Sequence, residues 1–333
     1  MAYTTIKKPS DYFNTKLYTG NGSTQSITGV GFQPDMTWVK SRSSGAWHNL
    51  LDAVRGATKR LQVNSDGAES TETNSLTSFD SDGFTVGSSG DVNGSGNSTV
   101  AWNWKANGAG SANTDGTISS TVSANTTSGF SIVKWTGTGS SGTIGHGLGV
   151  APKVVIVKRY SASADWVYYT STIDGSMDYL YLNLTNAKVD SGNPVPTSSV
   201  FQKSDTNGET QIAYCFAEKT GYSKFGSYVG NGNADGTFIY TGFKPAFFLI
   251  KNTEDGTDDW QIMDNKRNGY NPQNNILQPN LSDAEGSSTR VDFLSNGVKI
   301  NSSSAFINGS GEKIIYMAFA EQPLIGDNPA TAR

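Results

Sequence analysis

Three stretches of the chain share one hydrophobic frame. Each opens on a proline, runs through β-branched and aromatic residues, and closes on a lysine at the same spacing. They are Pro34-Asp35-Met36-Thr37-Trp38-Val39-Lys40, Pro152-Lys153-Val154-Val155-Ile156-Val157-Lys158 and Pro245-Ala246-Phe247-Phe248-Leu249-Ile250-Lys251. Proline stops pairing at the strand entrance, and the residues that follow favour a pleated, buried surface. The second and third runs are continuously apolar, the pattern of a strand covered on both faces. Trp38, Ile156 and Leu249 fall at matching positions and are expected in the core.

The features around these runs recur in the same order. Upstream of each is an aromatic followed by a Gly-x-Gly turn: Tyr18 to Gly22, Trp135 to Gly139 and Tyr228 to Gly232. Downstream comes a tryptophan, Trp47, Trp166 or Trp260. An Asn-Gly turn then feeds a closing apolar strand, with Trp102 and Trp104, Tyr214 and Phe216, or Met317 and Phe319 two residues apart. Residues two apart share one face of a strand, so these pairs read as core stripes. Four features repeated three times predict an internal repeat of about ninety residues, enough for a two-sheet sandwich. The expected fold is all-β: three tandem, related β-sandwich (jelly-roll-like) repeats with little helix. The one helical candidate is Trp47 to Arg55. The boundaries are an N-terminal arm at 1–15, repeats at 16–107, 128–220 and 221–322, a linker at 108–127 and a tail at 323–333. The linker assignment rests on its Gly, Ser, Thr and Asn content.

Composition agrees with many short strands. Glycine numbers 38, charged residues make up 16% and aromatics 11%. The net charge of −4 and the absence of a Lys/Arg cluster argue against nucleic acid as a partner. No run is apolar enough to span a bilayer as a helix, and the N-terminal residues lack the apolar core of a signal peptide. Synthesis in a cytoplasm, with no export signal, is the expectation.

Candidate chemistry is sparse. Cys215 lies in the apolar run Ile212 to Ala217 and reads as a small buried hydrophobe. The two histidines, His48 and His146, have no nucleophile motif beside them and cannot build a usual zinc site with one cysteine. Glu254, Asp255, Asp258 and Asp259 cluster before Trp260, but the other repeats have no matching acids, so a solvated loop is preferred to a glycosidase pair. Asp80-Ser81-Asp82-Gly83 and Asn113-Thr114-Asp115-Gly116 open like calcium loops, yet lack the downstream glutamate. No catalytic residue, cofactor or metal site is expected, and the protein reads as non-enzymatic.

With these motifs in view, the chain resembles a family of tailed-bacteriophage virion and tail-fibre-like structural proteins, common in marine phages. The residues that carry the likeness are Gly129 to Val133, Gly145 to Pro152, Tyr214 to Glu218, Gly221 to Tyr228 and Met317 to Glu321. The resemblance implies a virion context and a β fold, and together with the repetition and the sparse chemistry it leads to the expectation of a virion structural protein in a tail, fibre or other surface appendage, with a role in host adhesion. Its expected partners are other virion proteins, further copies of itself and host surface polysaccharide. A capsid decoration protein, a glycan depolymerase and a carbohydrate-binding module remain alternatives. In an assembly of this kind, the arm before the first repeat would dock on a virion partner, with Tyr12 and Phe13 as its apolar anchors; the alternative is that Tyr12 and Phe13 begin the first strand and only Met1 to Ser10 is loose.

Overall fold

The protein is described by a computed structural model covering residues 3–331. The proline-to-lysine frames become the strands Met36–Ser41, Val154–Arg159 and Phe243–Asn252. Each lies antiparallel to its closing strand: Ser98–Trp104, Thr210–Phe216 or Lys313–Pro323. The register is the same each time, with Trp38 opposite Trp102, Ile156 opposite Tyr214 and Leu249 opposite Met317. Beyond the closing strand pairs Phe13–Thr19, Phe130–Thr136 or Ser223–Val229. On the other side of the central strand pairs Asn49–Asp52, Val167–Thr170 or Gln261–Asp264. One four-strand order thus recurs three times, and the chain is all-β apart from short helical turns such as Gly90–Asn93 and Ala305–Asn308.

Each main sheet is buried on both faces, as the unbroken apolar runs require. The outer face of the first carries Val39, Leu51 and Ala101, which join Ile27, Leu76, Phe84 and Val86 of a small three-stranded sheet in one apolar cluster. Val155, Val157 and Cys215 do the same with Ile144 and Phe201, and Phe248 and Ile250 with Val291, Phe293 and Val298. The three inner faces share a single cluster. It gathers Trp38, Trp102 and Trp104 with Ile156, Tyr214 and Phe216 and with Leu249, Met317 and Phe319. The copies were expected as tandem units. They share one core, because each inner face is too apolar to be left open and finds its cover in the other two.

Contacts between copies run in a closed cycle. The second copy reaches the first through Trp166 Nε1, which donates to the Gln62 carbonyl at 2.9 Å. The third reaches the second through Trp260 Nε1 on the Tyr181 carbonyl at 2.9 Å. The first reaches the third through Trp102 Nε1 on Asp264 Oδ2 at 3.0 Å. A heterologous contact that returns to its start makes a closed ring.

Four sequence expectations change. Trp47 to Arg55 holds no helix: Asn49–Asp52 is a fully buried strand, and Asp52 Oδ1 accepts from the Val54 and Arg55 amides to cap the turn after it. Trp47 is exposed and does not match Trp166 and Trp260. Its neighbour His48 does, since the backbone amides of His48, Trp166 and Trp260 each donate to an asparagine, Asn64, Asn183 and Asn280. The 108–127 stretch is no loose connector. Ser111–Asn113 and Ser120–Asn125 extend the second main sheet, and Val122 and Ile118 enter its outer cluster. The N-terminal arm packs on its own chain. Phe13 pairs with Trp104 in the first sheet, and its ring lies 4.9 Å from Trp104 and 5.2 Å from Phe319. Tyr12 meets Tyr222 edge to face, and Ile6 is buried in the common core. Phe13 is 2% exposed and is not free to anchor a partner; the shared core offers it more apolar contact than an external surface needs to supply.

Candidate functional site

The side chains that could carry chemistry are mostly built into the fold. His48 is fully buried and its Nδ1 accepts from Trp38 Nε1 at 3.0 Å, while burial, with Lys40 and Arg267 nearby, pushes its pKa well down. His146 bridges the Leu148 amide and the Thr197 carbonyl and is also lowered by burial. Cys215 lies buried on the outer face of the second sheet, and burial raises its thiol pKa. The Asp82 carboxylate accepts from the Gly29 and Gly31 amides at 2.9 and 2.7 Å. Asp115 bonds within its own turn to Asn113. Asp258 accepts from Asn252 at 2.8 Å, and Asp259 from Asn280 and Gln278 at 2.6 and 2.8 Å. Among the described residues no three His, Cys, Asp or Glu side chains gather as a metal site would require.

The frame lysines that recur in the three copies are buried as well. Lys40, Lys158 and Lys251 are 0% exposed. Their ammonium groups donate to backbone carbonyls, Lys40 to Ser41, Ser44 and, in the third copy, Ser282. Lys158 reaches Ala164 and, in the first copy, Asp66; Lys251 reaches Asn252 and Asp255. Burial pulls each down to about 8.

One open cavity is set apart by how it is built. It lies in the third copy, has a volume of about 330 Å³, and is lined by Lys244, Asn265, Tyr270, Asn271, Gln273 and Glu321, among others. It owes its shape to features without counterparts in the other copies. The Phe243–Asn252 strand carries register shifts around Pro245 where it pairs with Lys313–Pro323, and the matching pairs run without one. Such bulges re-aim side chains. The loop after Arg267 is pinned by asparagine side chains. Asn271 exchanges two 2.9 Å hydrogen bonds with the Phe293 backbone, and Asn275 donates to the Arg267 carbonyl at 3.0 Å. Lys244 and Glu321 form an ion pair at 2.9 Å, and Tyr270 stands 73% exposed.

Two amide oxygens of residues beside this cavity, Asn265 Oδ1 and Gln273 Oε1, have no partner and almost no accessible surface, and are two of eighteen such side-chain atoms among the described residues. Both residues are at least nine-tenths buried. The Gln273 amide is oriented by its nitrogen, which donates to Asn271 Oδ1 at 3.3 Å. A second, shallower groove of about 580 Å³ runs along Thr117 to Thr121, Lys134 and Tyr160 in the second copy. Its tryptophan, Trp135, already spends its Nε1 on Asp205 at 2.5 Å.

Comparison with known proteins adds a family. A domain of unknown function, DUF7483, matches residues 8–323, nearly the whole chain. The chain belongs to the DUF7483 family. The match begins ahead of Phe13 and ends at Pro323, where the last strand ends, so a DUF7483 domain takes in all three copies of the four-strand order together. That extent fits the shared core, which needs all three inner faces. No curated protein matches the chain. The cavity in the third copy, and the Lys244, Asn265 and Gln273 that line it, had no signal in the sequence, because a bulge and a pinned loop create it.

Proposed function

We propose that this DUF7483 protein is a non-enzymatic structural component of a bacteriophage particle, carried in a tail, fibre or other surface appendage and adhesive toward the host surface. The observation that carries the reading is the use of reactive side chains as structure. Both histidines and Cys215 are buried and tied into the core, and two acids of the cluster before Trp260 are held by amides, Asp258 by Asn252 and Asp259 by Asn280 and Gln278. A catalytic site needs titratable groups converging on open space, with one aimed at a substrate. A ring of interlocked sandwiches instead gives a rigid body on which surface loops vary, the usual arrangement for recognition. The likeness to tailed-phage structural proteins supplies the virion context.

Mass spectrometry and cryo-electron microscopy of purified particles test this. The expected result is a fixed copy number and density for the ring on an external appendage. Density on the capsid shell alone would make it a decoration protein. Absence from particles, with the protein left in the lysate, would overturn the reading. As a separate check, incubation with host envelope polysaccharide should release no reducing ends. Release abolished by Asp258→Asn and Asp259→Asn would make it a depolymerase.

A further inference from the structure

We infer that the outer edge of the strand Phe238–Tyr240, in the third copy, is an assembly surface. Its occupant is the same strand of a second copy of this chain, added antiparallel about a two-fold axis. The inference concerns how copies meet; it goes beyond the adhesion reading and does not need it.

The edge is open and carries main-chain groups. Phe238–Tyr240 ends a four-stranded sheet, and among the described residues no strand pairs with its outer side. The Ile300 amide donates to the Thr237 carbonyl at 3.0 Å, and the Thr241 amide to the Asn296 carbonyl at 3.1 Å. Bonded and non-bonded pairs alternate along an antiparallel ladder, so Phe238 and Tyr240 turn their own N–H and C=O groups outward. The matching edge of the second copy, Ser141–Gly145, is already filled from within the chain. There the Ile118 amide donates to the outward Thr143 carbonyl at 3.0 Å, and Ile118 bridges Ile144 in parallel. This edge of the fold takes an added segment where one is within reach.

The side chains single out the third edge. Buried Ile27, Ile144 and Ile239 align the three edge strands, each in its own outer cluster. Beside them stand Ser26 and Thr28 in the first copy and Thr143 and Gly145 in the second. The third copy has Phe238 and Tyr240, 44% and 56% exposed. Val229, 53% exposed, stands where the other copies have Thr19 and Thr136, and the Thr237 hydroxyl on its carbonyl at 2.9 Å brings it alongside. The fold therefore needs no large apolar group at any of these positions. Edge strands are normally blunted by charge, proline or a bulge, and Thr237 to Thr241 has none of them.

Symmetry selects a second copy as the occupant. A two-fold axis through Ile239 sets Phe238 opposite the partner's Tyr240, and Tyr240 opposite the partner's Phe238. Each of these pairs can exchange both of its outward main-chain hydrogen bonds, and each sets two aromatic rings side by side across the strands. The strand carries no charge to oppose its like. The contact is self-complementary and joins two four-stranded sheets into one. The edge is short, so a lone pair of chains belongs to the weak class of contacts, strengthened where copies are held together in an assembly.

The test is sedimentation velocity of the full chain from micromolar to millimolar concentration, with amide hydrogen exchange measured on the same samples. The average mass should rise toward that of a dimer. Exchange at the Phe238 and Tyr240 amides should slow in step with it, while the Ser26 and Thr28 amides stay unchanged. Phe238→Ser with Tyr240→Thr installs the first copy's residues, so it should melt with the wild type and raise the dissociation constant about tenfold or more. Tyr240→Pro removes one outward N–H and no bond of the existing ladder, and should abolish the dimer. A chain that stays monomeric throughout, a dimer unaffected by both variants, or a dimer without slowed exchange at Phe238 and Tyr240 would overturn the inference. Slowed exchange that appears only when a different protein is added would overturn the second copy as the occupant.

Discussion

Tyr214, in the second copy, donates its hydroxyl to Asp52 Oδ2 of the first at 2.7 Å, in the middle of the shared core. Asp52 is held in turn by Arg55 Nε at 2.6 Å. The next step of the ring repeats the arrangement with other atoms: Trp102 donates to Asp264, which Arg267 holds at 2.5 Å. At the third step the donor is missing. Met317 takes the place of Trp102 and Tyr214, and the positions matching Asp52 and Arg55 are Thr170 and Ile173. Donor and ion pair come and go together, as buried charge requires.

This arrangement predicts a thermodynamic pattern. Tyr214→Phe should cost about 1.5–3 kcal/mol, the range for a hydrogen bond to a charged group. Asp52→Thr alone should cost about 3–5 kcal/mol, because buried Arg55 keeps only Glu69 as a carboxylate partner. Adding Arg55→Ile and Tyr214→Met copies the third step of the ring and should recover most of the loss. Urea melts of the three variants give the values. A triple variant no more stable than Asp52→Thr would contradict the argument.

Trp38 packs edge to face on Trp102 at 5.8 Å and donates to His48. Trp38→Ala should cost about 3–5 kcal/mol, as large aromatic truncations do in cores. An unchanged melting temperature would contradict its place there.

The strand frame was legible because proline, apolar run and lysine recur with one spacing, and Trp38, Ile156 and Leu249 do lie in the core. The sharing of that core was not. A strand covered on both faces reads the same whether its cover is its own second sheet or another copy. Trp47 misled because the match of His48 to Trp166 and Trp260 runs through the backbone amides and Asn64, Asn183 and Asn280, which lie well downstream in sequence. The 108–127 segment misled by composition. Its alternation at Ser120 and Val122 belongs to a strand paired on both sides, hidden among linker-type residues. Phe13 looked available because the aromatics that bury it, Phe247 and Phe319, come from the far end of the chain.

The frame lysines predict a pH dependence. Their folded pKa values, about 8, lie below the ordinary value of 10.5 because of burial. Between these limits the unfolded chain holds more protons, so stability from these groups rises with pH. The penalty is fully present below about 8 and lifts as pH climbs toward 10.5. Urea midpoints measured from pH 7.5 to 9.5 should rise, and the slope should shrink in Lys40→Met and Lys158→Met. A falling midpoint in this window would contradict it.

Cys215 should be silent toward Ellman's reagent in the native protein and react with full stoichiometry in denaturant, since a buried thiol is neither exposed nor ionised. Fast native reaction would place it outside the core.

The central structural claim is that the three copies fold as one unit around a common core. Differential scanning calorimetry of the full chain tests it most directly. The account predicts one transition whose calorimetric and van't Hoff enthalpies agree, a ratio of about one. Separate transitions, or a calorimetric enthalpy near three times the van't Hoff value, would contradict it and return the copies to independent domains.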